Sequence, residues 1–308
     1  MNENTAVRVK NVSKRYGRTL ALDKVSLEIG SGEVFGLLGR NGAGKTSLIE
    51  ILEGLRTVDE GKVSVLGFDP TRQLDSIKQR IGIQLQSSSF FHKLRVVEIM
   101  QQFRSYYKRQ GDLDELLALV ALNEKRNSFI SDLSLGQKQR LALALALVND
   151  PDMVFLDEPT AGLDAQVRRQ LWHTIGQMKQ SGKTILLTTH YIEEAELLCD
   201  RVCIMDAGRT IALDTPANLI ARGQQRLARI CFTTIKPLAL DQFGGASPTL
   251  LSLNGNARYA LEVENTGPAI VQLVSAIAQQ NNELLELQIN RATLEDVFLE
   301  LTGKEIGQ

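Results

Sequence analysis

The stretch "EVFGLLGRNGAGKTS", Glu33–Ser47, decides how the rest of the chain is read. An apolar run, Val34 to Leu38, enters a glycine-rich turn and leaves it into "KTSLIEILEGL". Gly39 to Thr46 fits G-x-x-x-x-G-K-[ST] between a strand and a helix, the context that the pattern requires. Such a loop turns its backbone N–H groups inward onto phosphate oxygens, and the helix that follows adds the favourable end of its dipole. Gly39, Asn41, Gly42, Ala43, Gly44, Lys45, Thr46 and the adjoining Ser47 are therefore expected to hold a nucleotide. Lys45 would reach the β and γ phosphates, and the Thr46 hydroxyl suits Mg²⁺. The partner motif is "MVFLDEP", a buried strand delivering Asp157 and Glu158 at its C-terminal end, where ligands bind in open α/β sheets. Asp157 is expected to hold Mg²⁺ through water, and Glu158 to polarise an attacking water.

Outward from these motifs, strand alternates with helix. "AVRVKNVSKRY" and "LDKVSLEI" have the period of two of a small antiparallel sheet. "MVFLDE", "QVRRQLWHTIGQMKQ", "TILLTTH", "YIEEAELLC" and "RVCIMDAG" alternate strand and helix, which predicts a parallel sheet covered on both faces. Between Pro70 and Asn127 the sequence looks mostly helical, through "LRVVEIMQQFRSYYKRQ" and "DLDELLALVAL". The expected fold class is α/β, a parallel core sheet with an N-terminal antiparallel subdomain and a helical subdomain over about 87–150. The composition shifts at "LIARGQQ", so residues 1–222 are assigned to this domain and 223–308 to a small α+β domain without a catalytic site.

The composition excludes several classes. The net charge is −1 and aromatics are 5% of residues, so nucleic acid is not an expected partner. Cys199, Cys203 and Cys231 make neither a disulfide framework nor a metal set and read as buried or inert thiols. "MNENTAVRVK" has no apolar signal core, and "LALALALV" falls far short of the roughly 20 residues that span a bilayer. A soluble cytoplasmic chain is expected, reaching a membrane only through another protein.

"LSLGQ", Leu133 to Gln137, opens a long helix. Ser134 and Gln137 fit a capping box, and a helix start of Ser and Gly can also hold an anion. "GRNGAGKT", "LSLGQ", "MVFLDEP", "AGLD" and "TTH" together, in this order, resemble the nucleotide-binding subunits of ATP-binding-cassette (ABC) transporters over about Val7 to Leu219. The resemblance implies a P-loop NTPase cassette that binds ATP and Mg²⁺ and hydrolyses ATP. It implies a head-to-tail homodimer in which Ser134, Gly136 and Gln137 of one chain meet the γ-phosphate held by the other. It carries over Tyr16 as the adenine-stacking aromatic, with a plain strand tyrosine as the lesser alternative. Gln86 corresponds to the glutamine joining the Mg²⁺ and water site to the permease, with Gln84 as the alternative. Asp164 matches the dimer-seam aspartate or a helix N-cap, or both. His190 matches the γ-phosphate histidine, while His92 and His173 match nothing and read as surface residues. Leu135 and Arg40 replace a usual glycine and proline, with modest effect expected.

"ATLEDVFLELTGKE", "VSVLGFDP" and "IGIQLQSSSFF" resemble the ABC-2-type export branch. That implies a separate transmembrane permease and a peripheral place on the cytoplasmic face of the cell membrane. The permease would meet the surface around Gln86 to Lys108, where Phe90, Phe91, Tyr106 and Tyr107 are aromatic. The alternatives are a non-transport ATPase of the same fold, acting on ribosomes or DNA, and an importer subunit.

Overall fold

The computed structural model describes residues 4–84, 93–223, 228–239, 247–290 and 293–303. The chain forms two compact units, Met1–Pro216 with Leu301–Gln308, and Ala217–Glu300. The division thus falls after the first residue of the helix Pro216–Gly223, a few residues ahead of the junction read from composition.

In the first unit the alternating N-terminal segments form β1 (Thr5–Tyr16) and β2 (Thr19–Gly30), an antiparallel pair whose Val7, Val9, Leu27 and Ile29 are buried. β3 (Val34–Leu38) is buried at every residue and feeds α1 (Lys45–Leu52). β4 (Glu60–Val65) pairs with β1 and completes a sheet of order β2-β1-β4. Leu48, Ile49, Ile51 and Leu52 of α1 share a core with this sheet and with Phe35 and Leu37. The loop between β3 and α1 is therefore anchored on both sides by buried apolar surface.

The stretch expected to be mostly helical proves more broken. α2 (Leu74–Lys78) is short, and "IGIQ" forms a strand, β5 (Ile81–Gln84). α3 (Val96–Arg104) stops well before Gln110, and α4 (Leu113–Leu119) starts at the Asp112 cap, whose side chain accepts the N–H groups of Asp114 and Glu115. α5 (Leu135–Ala146) is the long helix expected after "LSLGQ".

The remaining elements are β6 (Met153–Asp157), α6 (Ala165–Gln180), β7 (Thr184–Thr189), α7 (Ile192–Leu198), β8 (Arg201–Asp206) and β9 (Arg209–Asp214). The second sheet has the order β5-β6-β7-β3-β8-β9, parallel throughout except for β9, which runs antiparallel to β8. Its inner strands read as continuous apolar runs because helices cover both faces. α6 buries Leu171, Trp172, Ile175 and Met178, the stripe of an amphipathic helix.

The second unit starts at Ala217 in α8 (Pro216–Gly223) and holds β10 (Ala228–Thr234), β11 (Thr249–Asn254), β12 (Asn256–Val263), α9 (Thr266–Gln279) and β13 (Leu284–Asn290), and it ends at Glu300 within α10 (Leu294–Thr302). Its antiparallel sheet has the order β11-β12-β10-β13, and Leu273 and Ile277 of α9 pack with Ile230, Phe232, Tyr259 and Leu261. Among the described residues no helix is long and apolar enough to cross a membrane. Cys199, Cys203 and Cys231 are buried and in no disulfide, and burial pushes the Cys199 and Cys203 thiols up, Cys203 to about 11.

Candidate active site

Parallel register brings the motifs to one edge. Leu38 of β3 lies beside Thr189 of β7, and Asp157 of β6 beside Thr188. The glycine-rich loop, the two carboxylates and His190 thus leave the C-terminal ends of three neighbouring strands, the position at which ligands bind to α/β sheets.

Within the loop, Lys45 Nζ donates to the carbonyls of Gly39 (2.6 Å) and Arg40 (3.1 Å), which holds the turn in shape without a ligand. Gly44 has φ of 101°, and a Cβ there would stand 2.6 Å from the Ala21 carbonyl oxygen, so no other residue fits. Gly44 caps α1 without a side-chain bond, leaving first-turn N–H groups to an anion. Burial pushes the Lys45 ammonium below its ordinary pKa, and the charges of Glu158 and Asp157 oppose that shift.

Thr188 organises the carboxylates. Its Oγ1 donates to Asp157 Oδ1 at 2.5 Å and accepts the Glu158 N–H at 2.9 Å. Glu158 is held at φ of 47°, a left-handed conformation that a non-glycine residue keeps only where its surroundings impose it. Glu158 Oε2 lies 3.4 Å from His190 Nδ1. The Asp157 carboxyl is raised above its usual range, first by burial and then by Glu158 and Glu50, against the Thr188 bond and Lys45. Negative charge therefore exceeds positive here, and oxygen donors in a carboxylate-rich place suit a hard divalent cation. Thr46 is exposed, with no hydrogen-bond partner for its hydroxyl among the described residues. Among the described residues no three or more His, Cys, Asp and Glu are grouped so as to hold a metal ion by themselves, so the donor set fits an ion that keeps much of its shell as water and phosphate oxygen, as Mg²⁺ does.

Glu53, buried at the end of α1, has its carboxyl pushed up to about 8, by burial first and then by Asp157 and Glu50. The folded chain keeps this proton where the unfolded chain, at about 4.5, releases it, so stability rises as the pH falls. The contribution is complete below about pH 4.5 and is lost as the pH rises to about 8. Without nucleotide or metal, the melting temperature of wild type should fall across that window relative to that of Glu53→Gln. Parallel curves for the two proteins would remove Glu53 as the cause.

The second motif region is built on α5. Ser134 Oγ accepts the Gln137 N–H at 3.3 Å, and Gln137 Oε1 accepts the Ser134 N–H at 2.9 Å, the reciprocal capping box expected. Gln139 Nε2 donates to the Pro159 carbonyl at 2.9 Å, one residue past Glu158. A Cβ on Gly136 would stand 2.7 Å from Cγ1 of Val167 in the first turn of α6. Asp164 caps that same helix, accepting the N–H groups of Gln166 (3.0 Å) and Val167 (2.9 Å). Ser134, Gly136 and Gln137 make no hydrogen bond to the loop 39–46, so within one chain the two motif regions stay separate.

A family model described as ABC transporter matches residues 22–161. "Nod factor export ATP-binding protein I" of Rhizobium etli is 36% identical over 98% of this chain and 95% of its own length. The chain belongs to the ATP-binding subunits of ABC transporters. The protein of the same description from Paraburkholderia xenovorans is also 36% identical, over 98% of both chains. Among solved structures, the ATP-binding subunit of an ABC transporter superposes with a TM-score of 0.65 at 27% identity, over 71% of this chain and 94% of that one. A dimeric ATP-binding cassette in a post-hydrolysis state with ADP and Pi does so with 0.61 at 26% identity, over 68% and 98%.

In this cassette Tyr16 closes β1 half-exposed, with Lys14 Nζ and the Arg56 guanidinium each 5.7 Å from its ring centroid. Gln86, Phe90, Phe91 and His92 lie outside the described residues. Gln84, at the end of β5, is buried, and its side-chain amide has no hydrogen-bond partner among the described residues. His173 and Tyr106 are exposed, and Tyr107 is half-buried. Sequence reasoning missed Thr188 and Gln139. The repeated threonine of "TTH" was the signal for the first, since successive residues of one strand face opposite sides.

Gly136→Ala should cost about 1–3 kcal/mol through overpacking against Val167. The double variant with Val167→Ala should regain most of that in a denaturation series. Equal instability of single and double variants would remove the contact as the reason for glycine.

Proposed function

We propose that this cassette subunit drives export, working as two chains packed head to tail on two ATP molecules and moving a separate transmembrane permease from the cytoplasmic face of the membrane. The convergence of Lys45, Asp157, Glu158 and His190 on adjacent strand ends carries the reading. Lys45, the loop N–H groups and Ser47 would bind the phosphates, and Tyr16 would stack the adenine. Thr46, Asp157 and Gln86 would hold Mg²⁺, which when bound offsets charge on the phosphate oxygens. Glu158 would accept the proton of the attacking water, while His190, beside it, would fix the γ-phosphate. Ser134, Gly136 and Gln137, with Asp164 near the seam, would complete the site of the other chain. ATP favours the closed dimer through contacts to the γ-phosphate, and cleavage removes them. Export as the direction is supported by the relatives named for Nod factor export.

The test is a pull-down from detergent-solubilised native membranes with the Glu158→Gln chain and ATP. A co-purifying integral membrane protein is the expected result. Ribosomal or DNA-associated proteins without a membrane protein would overturn the transporter part and leave the ATPase.

A further inference from the structure

Glu194 of α7 is a carboxylate with 1% of its surface exposed, and three donors from three elements converge on it. Oε1 accepts the indole N–H of Trp172 in α6 at 2.8 Å and the hydroxyl of Thr160 in the turn after β6. Oε2 accepts the hydroxyl of Thr189, the last residue of β7, at 2.6 Å. Thr189 Oγ1 in turn accepts the Tyr191 N–H at 2.8 Å. Thr160 and Thr189 are both 1% exposed, so these bonds lie in a dry interior where removing one partner is costly.

The positions of the donors give the cluster its meaning. Thr160 follows Glu158 by two residues, and Thr189 precedes His190 directly. One buried carboxylate therefore ties the turn that presents Glu158 to the strand end that presents His190, and fastens both to α6 behind Asp164. The His190 ring lies 4.2 Å from that of Tyr191, and Tyr191 carries the Arg168 guanidinium of α6 4.5 Å from its ring centroid, so the end of β7 is joined to α6 a second time.

We infer that Glu194 is a positioning residue for ATP hydrolysis, setting the separation of Glu158 and His190 through its bonds to Thr160 and Thr189. The inference rests on the proposed roles of Glu158 and His190. It also predicts a path: when a γ-phosphate draws His190, Thr189 moves with it and the change reaches Trp172 through Glu194. Trp172 is the one tryptophan of the chain, so its emission reads that path without a label.

The experiment compares steady-state hydrolysis in wild type, Glu194→Gln, Thr189→Val and Trp172→Phe, with Lys45→Ala as control, and tryptophan emission in those that keep Trp172. Glu194→Gln keeps the shape but presents an amide N–H₂ to one set of donors. Thr189→Val keeps the shape and loses only the hydroxyl, which guards against a Glu194 variant that does not fold. Both are expected to lower kcat about 10- to 100-fold, as misplacement of catalytic groups does, with KM for ATP within about twofold. Trp172→Phe, which frees only the α6 arm, should keep kcat within about threefold, since Thr160 and Thr189 stay tied. ATP should shift Trp172 emission in wild type and not in Thr189→Val. Wild-type kcat in both Glu194→Gln and Thr189→Val, a matching rise in KM, an equal loss in Trp172→Phe, or an unaltered emission shift in Thr189→Val would overturn the positioning role. If wild type turned over ATP no faster than Lys45→Ala, the ATPase reading would fail and the inference with it, whereas active wild type with active variants sinks the inference alone.

Discussion

Glu158→Gln is expected to lower ATP turnover by on the order of 10²–10³-fold while the chain still binds ATP and collects as a dimer. The carboxylate stands at the C-terminal end of β6, held by the Thr188 hydroxyl and a left-handed backbone, with His190 3.4 Å away. An amide has the same shape but cannot take the proton of the attacking water. A loss of about 10³ corresponds to about 4 kcal/mol of barrier, within reach of one general base. Binding should persist because Lys45 and the loop N–H groups are untouched. Phosphate release under single-turnover conditions and size-exclusion chromatography with ATP check the two halves. Hydrolysis at the wild-type rate would remove Glu158 from the mechanism.

Ser134→Arg should abolish turnover in the pure protein without weakening ATP binding by the single chain, and an equal mixture with Lys45→Ala should regain activity. Ser134 forms no hydrogen bond to the loop that its own chain offers to ATP, and in the proposed head-to-tail pair it would meet the γ-phosphate held by the other chain. Losing its N-cap costs about 1 kcal/mol, too little to unfold the chain. In a mixed dimer one site pairs an intact loop with an intact "LSLGQ", while the other carries both lesions. Random pairing of equal amounts then allows at most about a quarter of wild-type turnover. Inactivity of every mixture would overturn action in trans.

Legibility in the sequence followed the range of the interactions. The loop 39–46, the "LDE" triplet and the Ser134 box are local, so spacing alone exposed them. β5 was missed because four residues with a glycine show no period, and only pairing with β6 makes them a strand. β11 was missed although Asn254–Gly255 marks a hairpin turn, with Gly255 at φ of 79° and Asn254 paired to Asn256. Glu194 could not be told from its exposed neighbours Glu193 and Glu196, because the groups that bury and bind it stand up to 34 residues away in the chain. Gly136 was legible as an anion-site residue, yet its tight approach to Val167 depends on how α5 meets α6.

The start of α5 is fastened to its own chain twice, by Gln139 on the Pro159 carbonyl and by Gly136 against Val167. In the proposed head-to-tail pair the same helix start would face the nucleotide of the neighbour. A change in the turn beside Glu158 would then shift the donors that the chain lends across the seam. ATP binding at the two sites would be linked, and linkage of binding free energies is reciprocal. A plot of rate against ATP concentration should then be sigmoidal with no separate effector, and Gln139→Ala, which removes one fastening, should draw it toward a hyperbola.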